Sequence, residues 1–266
     1  MRPLSRPRWN PAWEAARPAD ALRQALGLYC FACERRLPQH AVAWCLAGQA
    51  PVEESFTAAD WEGAVPLCDN CAFAALSAPL PVEALALPDR ELTFTLAEDS
   101  PFRYRPQAPS ESDEEPARVL VEATEERSQA TIAYFALNDH VPALGRDFPL
   151  EPDADLLTRD WVDPRLELRT RAWGIADLAA TQIAGAEGFE RATVVAVVAS
   201  LAEDTGFWSV WATVLWERLG DPEVLAQILQ PPGGAEAGLE AEGEAPPHRF
   251  PATRPDWLPP PGAGER

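Results

Sequence analysis

LYCFACERRL, residues 28–37, and VPLCDNCAFAAL, residues 65–76, each place two cysteines two residues apart in a chain that holds only five. A C-x-x-C turn lets two thiolates face one ion while amides of the turn donate to the sulfurs, and two such turns complete a tetrahedron. Cys30, Cys33, Cys68 and Cys71 therefore predict one structural Zn2+ bound by four cysteines, with a gap between the pairs long enough to hold an inserted loop and helix. Four thiolates leave no open coordination position, which disfavours water activation at the metal. The zinc module expected here is of treble-clef or zinc-ribbon type. Cys45, in the apolar stretch HAVAWCLAG, is expected to be a small buried side chain, and His40 a surface residue or one behind the ligands.

The wider composition fits this reading. At 266 residues, with 47% hydrophobic and 24% charged positions, the chain can bury a core. The basic, proline-rich start MRPLSRPRWNPAW is followed by no apolar run, so neither a secretory signal nor a membrane anchor is expected. The expected location is the cytoplasm, where paired cysteines more often bind metal than form disulfides. ATVVAVVASLA, 192–202, is too short to cross a bilayer and reads as a buried helix.

A net charge of −20 opposes generic nucleic-acid binding unless basic groups are gathered in one place. They are gathered at the amino-terminal end, where residues 1–50 carry seven arginines against three acids. Arg6, Arg8, Arg35 and Arg36 are the candidate nucleic-acid contacts. Arg35 and Arg36 follow the first cysteine pair directly, so they equally suit charge compensation of a tetrathiolate centre.

Along the chain, PADALRQAL (18–26) reads as a short amphipathic helix stopped by Gly27. SFTAADWEGAV offers Thr57 as a cap, Asp60 three residues on and Gly63 as a stop, and a helix after the second pair puts Cys71 in its first turn. ELTFTLAED (91–99) alternates like a half-buried strand. The expected fold class is α+β, mainly helical. The expected organisation is a basic segment over 1–24, a zinc domain over 25–104, an acidic linker over 105–117, a helical domain over 118–230 and a mobile Pro/Gly/Glu-rich tail over 231–266.

Other catalytic signatures are sparse. His40, His140 and His248 are far apart, and no phosphate loop, G-x-S-x-G elbow or HExxH occurs. A zinc nuclease of the His-Asn-His type needs a histidine on a hairpin between the cysteine pairs with an acid before it, and another histidine or asparagine soon after; His40 does not meet this. NDH at 138–140 reads as a turn after a helix, and Trp208, Trp211 and Trp216 as core or subunit contact. The chain is expected not to be an enzyme.

In the runs YCFAC, ESFTAADW and VPLCDNCAFAAL, with a weaker echo in WGIADLAATQIAGAEGF, the sequence resembles the large-subunit-like protein of type IV CRISPR effector complexes. The likeness covers the cysteine segment well and the rest of the chain by architecture alone. It implies a non-enzymatic subunit of a crRNA-guided antiviral ribonucleoprotein that helps recognise the duplex motif beside the target DNA. The implied partners are crRNA, target DNA and other effector-complex proteins, with no membrane and no small-molecule substrate. Only Cys30, Cys33, Cys68 and Cys71 carry over residue by residue, and the charge of −20 departs from what a DNA-gripping subunit needs. The alternative from the residues alone is an acidic zinc-containing adaptor that binds other proteins.

Overall fold

The computed structural model describes residues 8–11, 16–37, 41–46, 48, 50–52, 57–77, 85–86, 102–107, 118–138 and 164–229. Arg6, His40, His140, His248, the expected strand over 91–99 and the tail over 231–266 lie outside them. What is described is rich in helix, with two small antiparallel sheets.

The first helix, α1 (Pro18–Leu26), begins with Pro18 in its first turn, where a missing N–H costs nothing, and stops at Gly27 with φ 93°. Its buried stripe, Ala21, Leu22, Ala25 and Leu26, packs with Ala43, Trp61 and Ala64 in a small satellite core. The helix runs through position 24, so the basic segment and the cysteine region share one element.

Three short strands follow in the order β2-β1-β3: β1 (Val42–Cys45), β2 (Ala50–Pro51) and β3 (Ala64–Leu67), with Trp44 opposite Val65. Between β2 and β3 lies the single turn α2 (Ala58–Trp61), where the Asp60 carboxylate accepts from both the amide and the hydroxyl of Thr57. Strand β3 leads directly into Cys68 and α3 (Asp69–Ser77).

β4 (Arg103–Gln107) and β5 (Arg118–Glu122) pair antiparallel, Tyr104 opposite Val121. Arg105, Pro106 and Gln107, placed by the sequence at the start of a linker, therefore belong to a strand. Their pairing returns the chain to the same sheet. Helix α4 (Glu126–Tyr134) follows β5. The final helices are α5 (Pro164–Gly185), α6 (Gly188–Thr205), α7 (Trp208–Leu219) and α8 (Pro222–Leu229), with Gly206 following α6 and Gly220 following α7.

One contiguous core takes in Cys30, Cys33, Trp44, Cys68 and Cys71 from the cysteine region together with Ala176, Ile183, Trp208, Trp211 and Leu225 from the helices. Trp208 and Trp211 are core residues, as expected, and Trp216, partly buried, packs against the same core. Helix α6 differs from the buried helix expected of its apolar tract: Val195, Val198, Ala199 and Ala202 face inward while Val197 and Leu201 are exposed. Among the described residues no helix is long and apolar enough to cross a membrane.

Candidate metal centre

The centre is built by two turns that local hydrogen bonding closes and one cross-bond aligns. In the first, the Cys30 N–H donates to the Arg35 carbonyl (2.9 Å), the Glu34 N–H to the Cys30 carbonyl (3.0 Å) and the Leu37 N–H to the Leu28 carbonyl (2.7 Å). Glu34 takes the left-handed conformation, φ 64°, that lets this tight turn reverse. The second turn is the start of α3, where the Ala72 N–H reaches the Cys68 carbonyl. A bond from the Phe31 N–H to the Pro66 carbonyl (2.9 Å) sets the two turns side by side.

As a result the sulfurs of Cys30, Cys33, Cys68 and Cys71 all lie within 4.8 Å of one another, all four residues are buried, and none forms a disulfide. The Sγ atoms of Cys33 and Cys68 are 3.7 Å apart, and the Cys68 N–H points at Cys30 Sγ (3.4 Å). This group could hold a metal ion. Buried singly a cysteine acts as a small apolar side chain, but four gathered at this range offer an ion four soft ligands at once.

Without an ion the thiols oppose one another. Burial pushes the Cys30 and Cys33 thiols well up, and the neighbouring Cys30 thiol does the same to Cys68. Cys71 goes the other way. Burial alone would raise it, but the three other thiols and the positive charge of Arg165 together hold it well below the usual thiol range.

Sequence reasoning missed Arg165. It sits in the first turn of α5, fully buried, and its guanidinium donates to Cys71 Sγ (3.1 Å) and to the carbonyls of Phe135 (2.7 Å) and Ala136 (3.0 Å). One turn on, the equally buried Arg169 donates to the carbonyls of Leu137 (2.7 Å) and Val119 (3.3 Å) and to Asn138 Oδ1 (3.2 Å). Burial pulls the pKa of Arg169 down. Asn138 ends the turn that follows α4, as expected, and in addition pairs both ways with the backbone of Val121.

Glu34 was also missed. Its buried carboxylate accepts the Ser209 N–H (2.8 Å) and hydroxyl (2.6 Å), and its carbonyl accepts the Phe207 N–H (2.9 Å). A residue of the cysteine turn thus caps α7 from outside, meeting amides that no helical carbonyl can reach and placing negative charge at the positive helix end. Gly206 makes the approach feasible. With φ +72°, it sits where a Cβ would come within 2.7 Å of the Glu34 carbonyl oxygen and 2.8 Å of the Arg36 nitrogen. The Tyr29 hydroxyl adds a bond to the Glu203 carbonyl (2.8 Å).

The four candidate nucleic-acid arginines separate. Arg8 is exposed and Arg6 lies outside the described residues. Arg35 is half-buried; burial works against its charge, but the four cysteines outweigh this and raise its pKa, which suits charge compensation. Arg36 instead points outward to Asp204 at 2.5 Å. Cys45 is half-buried at the end of β1, apart from the cluster, and its sulfur accepts the Gly48 N–H.

Compared with known protein families, curated proteins and solved structures, the chain finds no match in any of the three.

Proposed function

We propose that this chain is a zinc-stapled, non-enzymatic binding subunit, and that its partner assembly is the crRNA-guided type IV CRISPR effector complex that its cysteine segment resembles. The observation that carries the zinc reading is the clustering of four buried thiols. Zinc–sulfur bonds of about 2.3 Å in a tetrahedron require sulfurs about 3.8 Å apart, and Cys33 and Cys68 stand 3.7 Å apart. Zinc also fits an all-thiolate, redox-inert site closed on every side. The order of parts, a cysteine turn, a hairpin and a helix whose first turn supplies the last cysteine, favours the treble-clef over the ribbon form.

Zinc bound in this way builds a surface and does no chemistry of its own. Arg35 and Arg36 stand on that surface beside the metal, where an anionic backbone could reach them. The charge of −20 confines any such contact to this patch.

The test is native mass spectrometry of the protein purified from its own host. One zinc together with a small RNA and stoichiometric protein partners is the expected outcome; one zinc with a single protein partner and no RNA would replace this reading with the adaptor. Replacing Arg35 and Arg36 together by glutamate should weaken nucleic-acid association while leaving helix content intact, as read by gel shift and circular dichroism. The adaptor reading draws on one observation, the apolar side chains exposed on the helices: Phe189 (90% exposed), Leu178 (62%) and Val197 (55%).

A further inference from the structure

Three cavities invite comparison by charge. The one beside α1 includes Arg17 and Arg23, but both are bonded to Asp20, which lies between them. The one beside β5 and α4 has a single charged residue, Glu122. The third, about 420 Å³, lies between the first cysteine turn, α5 and the end of α6, and is lined by Arg35, Arg36, Arg171 and Asp204 with Leu37, Leu168, Ala172 and Thr205. Three arginines and one aspartate line it; Arg35 offsets the cysteine centre, so Arg36 and Arg171 outnumber Asp204 by one positive charge in a chain of net −20. Asp204 is engaged with Arg36. Arg171 is exposed and has no ion pair among the described residues.

We propose that this cavity binds a phosphate monoester, carried either by a mononucleotide or by the 5′ end of a short single strand. Guanidinium forks match phosphate oxygens two at a time, and three arginines from two separate segments line this cavity. The apolar side formed by Leu37, Leu168 and Ala172 gives the attached nucleoside a surface that a bare inorganic ion would not use. A terminal group suits the molecule better than a continuous backbone, since a long polyanion must approach the net negative charge of the whole chain while one phosphate meets mainly the local surplus. The cavity volume is in the range of small-ligand sites.

The site shares Arg35 and Arg36 with the patch of the effector-complex reading, and Arg171, which only this cavity uses, tells the two apart. Duplex DNA, tested on the Arg35/Arg36 double variant, probes that reading, whereas the ligands below probe this one.

The experiment is calorimetric titration of the full, zinc-loaded chain with inorganic phosphate, with AMP, and with a short oligonucleotide bearing either a 5′-phosphate or a 5′-hydroxyl. AMP or the 5′-phosphorylated strand should bind more tightly than inorganic phosphate, and the 5′-hydroxyl strand should bind at least about tenfold more weakly than its phosphorylated twin. A preference for AMP over the phosphorylated strand identifies a mononucleotide site, and the reverse a strand-end site. Arg171→Ala should weaken binding about tenfold or more, and Asp204→Asn, which frees Arg36 and removes the one negative charge, should tighten it. Neither side chain is buried, so both variants should fold. Equal binding of the phosphorylated and hydroxyl strands, no binding of any ligand at millimolar concentration, or affinity indifferent to both variants would overturn the proposal.

Discussion

From Tyr29 to Ser77 the elements are strands of two to four residues and helices of four and nine, whereas from Pro164 to Leu229 four helices of 22, 18, 12 and 8 residues pack on one another. Helices and strands as short as the first set are marginal alone, because too few backbone bonds repay the cost of ordering them. The helical region instead buries Trp208, Trp211, Val214, Leu215 and Leu225 in a continuous core. The first region shares this core through Trp44, Val65 and Leu67, and a metal ion held by its four thiols would clamp what packing alone leaves marginal. The two regions meet at a seam where polar groups of the cysteine turns, Glu34 above all, complete what the helices lack.

The sharpest way to break the comparison is to remove the clamp. Cys30→Ser or Cys68→Ser should abolish metal retention and lower the melting temperature by more than about 10 °C, since in such a centre metal-binding free energy is folding free energy. Calorimetry with metal analysis checks this, and an unchanged melting profile with full metal content would end the clamp account. Hydrogen exchange should show protection lost first over 29–37 and 64–72, and last in α7.

The seam comes next in size. Gly206→Ala forces a Cβ against backbone atoms of Glu34 and Arg36 at a φ that alanine resists. Neither neighbour is the yielding end of a side chain, so the turn and α7 must move apart, at a cost of about 2 kcal/mol. Denaturant unfolding measures it. A loss below about 0.5 kcal/mol, the range of an ordinary surface substitution, would mean the seam is looser than its hydrogen bonds indicate.

The two regions were legible to different degrees, for physical reasons. The cysteine pairs announce themselves because metal geometry dictates spacing, Gly27 marks a helix end because its backbone, at φ 93°, favours glycine, and Thr57 marks a helix start because its side chain can bond Asp60 three residues on. Strands β1 to β3 are too short to show alternation, and β3 is buried at all four positions. The first half of α5, PRLELRTRAW, was missed because two of its four buried positions, Arg165 and Arg169, are arginines, which ordinarily lie outside. A signal was present: the buried stripe Ala172, Ala176, Ala179 and Ile183, continued backward at helical spacing, lands on Arg169 and Arg165. What no local pattern holds is the partner that makes such burial tolerable, here Cys71 and the carbonyls after α4. The same limit hid Glu34, whose role depends on a helix 175 residues away.

Arg165→Met tests how the two regions share charge. It removes the guanidinium that donates to Cys71 and should weaken metal binding about 10- to 100-fold in chelator competition, the usual cost of losing a group that orients a ligand. The variant also orphans two carbonyls, so stability alone would not be diagnostic. Arg169→Met is the control: equally buried on the same helix, without a bond to a cysteine, it should cost stability while leaving metal affinity much closer to the parent. In the cobalt-substituted protein, only Arg165→Met should move the thiolate-to-metal charge-transfer band. Equal loosening by both variants would assign the effect to helix packing.

The smallest effect expected is at the outer edge of the same seam. Arg36 and Asp204 form an ion pair between the cysteine turn and α6, but both side chains are substantially exposed, at 45% and 71%. Exposed pairs give up side-chain entropy and are screened by salt, so their net contribution is commonly under about 1 kcal/mol. Arg36→Ala should therefore change unfolding free energy by no more than about 0.5 kcal/mol, and the change should vanish at about 1 M salt. Glu34 joins the same cysteine turn to α7 through buried bonds to an amide and a hydroxyl, which salt does not reach. A double-mutant cycle across Arg36 and Asp204 that gave a coupling of about 2 kcal/mol or more would place the outer edge on a par with the buried seam, and the join would then be electrostatic instead of a buried cap.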